Sequence, residues 1–237
     1  MRLINDAQRI GYSAWTRADQ LEELLISGHN ETRRVFLKQI RVPVKNIGAA
    51  ILAAGESSRL GRPKQLIQFR GKSLIRGTAN AASEAGCSPV TIVLGSDSEK
   101  IEDELAGTRV AIVKNENWHA GIGTSIRAGV QNLLSQPSNL EGIVLLVCDQ
   151  PFVDAGVIKG LIELQQKTNK SIVASAYAET LGVPAFFDHS CFEELLALSN
   201  DSGAKSIILR DRERVAEFSF PEGAIDIDTA SDDERYK

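Results

Sequence analysis

Seven consecutive residues, Ile47 to Ala53, carry no polar side chain. An apolar run of this length reads as a strand buried on both faces. Pro89 to Leu94, Arg109 to Val113, Gly142 to Val147 and Ser171 to Ala176 read as four more strands, rich in Val, Ile and Leu. Helical patterns lie between them, over Ser73 to Ala85, Ser98 to Ala106, Thr124 to Leu134 and Asp154 to Lys167. Short buried strands alternating with helices predict an α/β fold with a mostly parallel, twisted sheet covered on both faces. Ligands of such sheets bind beyond the carboxyl ends of the strands, so chemistry is sought there.

Residues 1–45 break this rhythm. Arg17 to Ser27 predicts a short amphipathic helix with Leu21, Leu24 and Leu25 inward and Gly28 as its stop. The stretch after it is basic, with Arg33, Arg34, Lys38, Arg41 and Lys45. The division expected is an N-terminal extension over 1–45, real or the product of a misplaced start, and one folded domain over 46–237.

Composition narrows the function classes. At 237 residues, 43% hydrophobic and 24% charged, the chain suits one globular domain plus an appendage. Aromatics make up 5% and the net charge is −4, so neither base stacking nor a phosphate backbone is favoured and no nucleic-acid partner is expected. No apolar run reaches the length of a membrane span, and the N-terminus lacks a signal-peptide core. Cys87, Cys148 and Cys191 form neither a CxxC pair nor an even disulfide framework, which points to a reducing cytoplasm.

The densest chemistry follows the first strand, in Leu52-Ala-Ala-Gly-Glu-Ser-Ser-Arg-Leu-Gly-Arg-Pro-Lys64. Glycine lets a backbone approach a ligand and present its N–H groups, while Arg59, Arg62 and Lys64 supply the charge that phosphate needs. This is not a Walker A loop. The sole Gly-Lys-Ser, Gly71-Lys72-Ser73, has Leu66 where the first glycine belongs. Nor is Gly121-Ile-Gly123-Thr-Ser-Ile126 a dinucleotide fingerprint, because its last position is not glycine.

Other groups fall at predicted strand ends. Asp149 in Val147-Cys-Asp-Gln-Pro151 terminates an uncharged strand, where it suits Mg²⁺ or, alternatively, caps the next helix. Cys148 beside it reads as a small strand-end hydrophobe. Ile225-Asp-Ile-Asp-Thr229 places Asp226 and Asp228 on one face of a short strand, as candidates for a second metal carboxylate, or forms a turn before an acidic tail. Asn115-Glu-Asn-Trp-His-Ala-Gly-Ile-Gly-Thr-Ser125 carries uncharged groups able to read a base edge, though Thr124 or Ser125 equally suits a helix cap. Trp118 reads as a packing wedge and His119 as a surface loop residue. Gly182-Val-Pro184 reads as a hairpin turn and Asp201 as a helix cap.

Together these motifs resemble the molybdenum-cofactor cytidylyltransferases, a MobA-like NTP transferase group. The resemblance is carried by L-A-A-G-x-S-x-R-x-G-x-P-K, Asp-Gln-Pro, N-x-x-W-x-x-G-x-x-x-S and D-I-D-T, and spans roughly Ile47 to Arg235. It implies a three-layer, Rossmann-like nucleotidyltransferase fold over 46–237. It implies nucleotide binding by Leu52, Ala53, Ala54, Gly55, Ser57, Arg59, Lys64, Gly121 and Ser125. Arg59, Lys64 and Asp149 are implied in catalysis, and Asp149 with Asp228 in holding Mg²⁺. Arg62-Pro-Lys-Gln-Leu66 is more similar to the cytidylyl than to the guanylyl enzymes, which implies CTP as donor. The implied acceptor is the phosphate of molybdopterin or molybdenum cofactor, and the implied partner an apo molybdoenzyme of the xanthine dehydrogenase type. Val183 stands where the group commonly has Asn, and Asn200 where it commonly has Gly. Both departures fall on the acceptor side, so a sugar or alditol phosphate stays open as acceptor. A non-catalytic, cofactor-carrying protein is the alternative of a different class.

The signature strand normally opens proteins of this group, and Val42 or Val44 could be a non-Met start. N-terminal sequencing of the native protein decides between the two origins of the extension. A mature terminus near residue 44 removes it, whereas a terminus at Met1 makes it part of the protein.

Overall fold

The computed structural model describes residues 46–55, 62–95 and 98–227. The N-terminal extension with its expected helix lies outside the described residues, as does the acidic tail after Ile227.

The strands are β1 (Ile47–Ala53), β2 (Gln68–Phe69), β3 (Lys72–Ser73), β4 (Val90–Leu94), β5 (Ala111–Lys114), β6 (Gly142–Val147), β7 (Ile172–Tyr177), β8 (Thr180–Asp188) and β9 (Val215–Ser219). The helices are α1 (Leu74–Glu84), α2 (Ser98–Glu104), α3 (Ile122–Ser135), α4 (Ala155–Thr168), α5 (Phe192–Leu196) and α6 (Lys205–Arg210). Seven strands form one sheet in the order β5-β4-β1-β6-β8-β7-β9, and β2 and β3 form a separate hairpin. Every neighbour in the main sheet pairs in parallel except β8, which is antiparallel to both β6 and β7. The expected α/β, mostly parallel, three-layer architecture is thus the observed one.

Alternation along β1 builds the layers, because successive side chains of a strand point to opposite faces. Ile47, Ala49, Ile51 and Ala53 pack with α1, α2 and α4. Ala50, Leu52 and Ala54 pack with α3, α5 and α6 on the other face. The small side chains matter: at Gly129 of α3 an added Cβ would lie 3.2 Å from the Ala50 Cβ, so helix and strand touch closely.

Two parts of the fold depart from the expectation. Gly182-Val-Pro184 is not a turn but part of β8. Opposite it the register slips between Ala174 and Ser175, whose partners are Ala185 and Gly182, so Val183 and Pro184 bulge from the ladder. A bulge accommodates proline, which has no N–H to donate. Side chains take up the stranded carbonyls: Tyr177 Oη and Gln150 Nε2 donate to Val183 O, and Ser175 Oγ to Pro184 O. The real turn is Ala178-Glu179, both at positive φ. Asp201 caps no helix, for α6 begins four residues later at Lys205, with Ala204 as its N-cap. The edge strand β9 and the β2–β3 hairpin lie where no element was expected.

Where Gly71-Lys72-Ser73 fails as a phosphate loop, it serves structure. Arg70 and Gly71 take positive φ in the β2–β3 turn, and Ser73 caps α1 by accepting from Arg76 N. Among the described residues no helix is long and apolar enough to cross a membrane.

Two glycines make opposite demands on packing. At Gly142 an added Cβ would sit 2.3 Å from Cζ of the buried Phe186. At Gly77, inside α1, it would meet nothing within 4 Å. Gly142→Ala is expected to destabilise by about 1–3 kcal/mol through overpacking. Gly77→Ala is expected to stabilise by about 0.5–1 kcal/mol. Denaturant unfolding of the two variants checks both signs.

Candidate active site

The sheet's connectivity reverses at β1. The chain moves outward through β4 and β5, then returns to place β6 on the other side of β1. Ligands of open α/β sheets bind at such a switch point. Here β1 and β6 end together: Leu52 pairs with Val147, and the Cys148 N–H donates to Leu52 O at 3.3 Å. The next residues of the two strands are Ala54-Gly55 and Asp149.

A cleft of about 210 Å³ opens at this junction. Of the expected nucleotide-binding residues, Leu52, Ala53, Ala54, Gly55, Lys64 and Ser125 line it, together with Asp149. Lys64 comes from a one-turn 3₁₀ helix, Lys64–Leu66, that ends the glycine-rich loop. Its Nζ lies 2.5 Å from Asp149 Oδ2, with the side chains 16% and 20% exposed. In so sheltered a place the attraction is screened less than at the surface. Asp149 does not cap the following helix. Asp154 does so, accepting from Val157 N at 2.9 Å.

Ser57 and Arg59 lie outside the described residues, as does Asp228. The chain reaches the position before Asp228 in contact with the site: Ile227 N–H donates to Asp149 O at 2.9 Å. Ile227 is buried with Ile67 and Leu74, so one small apolar cluster steadies both the Lys64 turn and the C-terminal motif. Asp226 is exposed. Gly121 is absent from the cleft lining. It starts α3 at φ 122°, and an added Cβ would come within 2.3 Å of Asn200 O. It therefore lets the turn around Asn200 pack on the helix start.

Residues that the sequence reading did not assign to the site complete it. Gln65 is 1% exposed, and its Nε2 donates to Ala53 O at 2.8 Å and Gly55 O at 3.3 Å. One side chain thereby pins both ends of the glycine-rich loop. Trp118 and Ile122 form an apolar wall. The Trp118 indole lies where a Cβ on Gly95 would have to be, 2.8 Å from its Cγ, so it is a packing wedge as well as a wall. Gln150 Nε2 donates to Gly223 O at 2.8 Å and thus ties the residue after Asp149 to the C-terminal segment. A buried glutamine carries no periodic signal, so only its place beside Lys64 or Asp149 could have pointed to either one.

Among the described residues of the cleft, no thiol or imidazole is placed as a ready nucleophile or base. Burial pushes the Cys148 thiol well above its ordinary range, and the neighbouring Asp149 charge adds to the effect. Neither His119 nor His189 lines the cleft. Among the described residues no three His, Cys, Asp or Glu converge as a metal site. Asp149 nonetheless suits a hard cation: its carboxylate already holds an ammonium, and Mg²⁺ commonly takes one or two carboxylates plus phosphate oxygens. A second hollow of about 210 Å³, between the β2–β3 hairpin, α1 and the loop after Asp149, holds the Phe69–Phe152 pair under Arg70 but not the Lys64–Asp149 pair.

Known proteins resemble this chain in sequence and fold. The model of the MobA-like NTP transferase domain matches residues 49–215. The nicotine blue oxidoreductase of Paenarthrobacter nicotinovorans is 32% identical over 117 residues, covering 49% of this chain and 55% of that protein. The chain thus spans about half the length of that curated relative. The purine catabolism protein PucB of Bacillus subtilis is 24% identical over 165 residues, covering 66% and 78%. Among solved structures, Rv0371c from Mycobacterium tuberculosis H37Rv has a TM-score of 0.67 at 30% identity, covering 81% of this chain and 97% of that one. A complex of Rv0371c with manganese has a TM-score of 0.64 at 28% identity, covering 81% and 98%.

Gln65→Leu removes a donor from two carbonyls and leaves the buried Ala53 carbonyl without its side-chain partner. A loss of about 1–3 kcal/mol is expected in thermal or denaturant unfolding.

Proposed function

Because the chain belongs to the family of MobA-like NTP transferase domains, we propose that it is a Mg²⁺-dependent nucleotidyltransferase. It moves CMP from CTP onto a phosphate acceptor, molybdopterin or molybdenum cofactor, and releases pyrophosphate. The observation that carries this reading is the Lys64 Nζ–Asp149 Oδ2 contact of 2.5 Å in a cleft at the ends of two parallel strands. A cation for phosphate and an anion for metal meet there.

In this reading the triphosphate lies along the loop from Gly55 to Lys64. Arg59 and Lys64 neutralise its oxygens, helped by backbone N–H groups at Gly55 and Ser57. Gln65 holds the loop ends so that the N–H groups need not reorganise as charge develops. Asp149 and Asp228 would hold Mg²⁺, whose chemistry is to polarise the phosphoryl oxygens and neutralise the charge that accumulates on them. An oxygen of the acceptor phosphate attacks the α-phosphorus. The bond from that phosphorus to its bridging oxygen breaks, and pyrophosphate departs with the electron pair. The acceptor is already ionised at neutral pH, so no general base is required, in agreement with a cleft that no histidine lines among the described residues.

CTP is favoured by Arg62-Pro-Lys-Gln-Leu66, and the base rests against Trp118, Ile122 and Ser125. The acceptor follows from the same resemblance. The purine catabolism named for the Bacillus subtilis relative is in keeping with a product destined for a hydroxylase of the xanthine dehydrogenase type. The manganese complex of the mycobacterial neighbour is in keeping with a divalent metal. Residues 46–237 constitute the transferase domain, working in the cytoplasm, with 1–45 as an addition to it.

Purified protein is incubated with Mg²⁺, each nucleoside triphosphate and molybdenum cofactor, and pyrophosphate release is followed. Release is expected with CTP and is lost on chelation of the metal. Lys64→Ala and Asp149→Ala should each lower turnover by roughly a thousandfold, since such clamps contribute several kcal/mol to the transition state. No release with CTP, under conditions where a known cytidylyltransferase works, refutes the proposal.

A further inference from the structure

We infer that Asn115 is a positioning residue that fixes the hydrogen-bond polarity of Ser125, so that the cleft offers a hydroxyl donor to an acceptor atom on the nucleotide base. This rests on the reading of the cleft as a nucleotide site. Asn115 directly follows β5, is 7% exposed, and is anchored by its backbone N–H to Leu94 O at 2.8 Å. The orientation of its side-chain amide is settled by the chain itself. Oδ1 accepts from the Asn117 N–H at 3.0 Å, which leaves Nδ2 to donate. Its two protons go to Thr124 Oγ1 at 2.8 Å and Ser125 Oγ at 2.9 Å. All three polar positions of the amide are used.

The two hydroxyls then part ways. Thr124 accepts from Asn115 and passes its own proton to Gly121 O at 2.7 Å. That is the carbonyl one turn before Ser125, the natural local acceptor for a serine in a helix. Ser125 likewise accepts from Asn115, but among the described residues nothing takes its proton. Ser125 is 4% exposed and lines the cleft beside Trp118 and Ile122, so the proton left over belongs to whatever occupies that wall. A group presenting a lone pair fits, such as the N3 or O2 of cytosine. A group presenting only an N–H meets at best the serine's second lone pair and leaves its proton unused. Uncharged selection of this kind costs an ill-matched ligand the bond and leaves the protein group unpaired.

Asn115→Asp tests the assignment, because a carboxylate can only accept. It takes the Ser125 proton and turns the serine's lone pairs toward the cleft. The readout is the ratio of CTP affinity to that of tripolyphosphate, a base-free probe, measured calorimetrically with Mg²⁺ on the full chain. Tripolyphosphate reports the effect of the added charge on phosphate and metal, and Ser125→Ala makes the same test without an added charge. Asn115→Asp and Ser125→Ala should each lower the ratio about fivefold, one neutral hydrogen bond's worth. The double variant should lose no more than either single one, because both act through the same bond. Losses that multiply in the double variant, or that fall equally on tripolyphosphate, overturn the assignment in favour of a general structural role. Wild-type protein that binds tripolyphosphate without preferring CTP overturns it while leaving the phosphate cleft intact. Wild-type protein that binds neither overturns the nucleotide reading as well.

Discussion

A lysine ammonium and an aspartate carboxylate, 2.5 Å apart and mostly shielded from water, sit where β1 and β6 stop. Partial burial costs both charges hydration, and each compensates the other. Much of the surrounding structure serves to bring them together. The parallel pairing of β1 and β6 sets Ala54-Gly55 beside Asp149. Gln65 returns the glycine-rich loop to the end of β1, so that Lys64 arrives at the carboxylate from the far side of the loop. Ile227, through its N–H to Asp149 O and its packing on Ile67, draws the C-terminal motif to the same point. In the proposed reaction the pair separates, the ammonium taking phosphate and the carboxylate a metal. A site whose charges satisfy one another at rest binds ligands that satisfy both at once.

The fold was legible where burial was complete. Ile47–Ala53 is buried throughout and Gly142–Val147 in all but its last residue, and their apolar runs said so. The β7–β8 region was not legible, for a local reason. Its turn is Ala178-Glu179, two side chains at positive φ without the Asn-Gly or Asp-Gly that normally announces such a turn. The nearby Gly182 and Pro184 carried a stronger turn signal and belong to a bulge instead. Its stranded carbonyls are taken up by Tyr177, Ser175 and Gln150 from elsewhere in the chain, which no local pattern reveals. The edge strand β9, alternately half-buried and exposed beyond Val215, lacks the apolar run by which the central strands were read.

The site was legible in its charges and opaque in its neutral groups. Lys64 and Asp149 stand out from apolar or glycine-rich surroundings, and the structure places them in contact. Gln65, Gln150 and Asn115 act by hydrogen-bonding to backbone or hydroxyl groups distant in sequence, and such geometry leaves no trace in composition or periodicity. Gly121 shows the converse. Its place in a glycine-serine motif suggested the base pocket, while its backbone conformation and its closeness to Asn200 give it a packing task at the start of α3. Ser57, Arg59 and Asp228, outside the described residues, stay at the level of the resemblance.

The most direct measurement is a crystal structure with Mn²⁺ and a non-hydrolysable CTP analogue, with the metal located by its anomalous scattering. The expected result is a manganese peak within coordination distance of Asp149, triphosphate along Gly55 to Lys64, and Lys64 Nζ moved from the carboxylate to a phosphate oxygen. A nucleotide bound in the hollow beside Phe69 and Phe152, or a metal remote from Asp149, would contradict the assignment of the β1–β6 cleft as the transfer site.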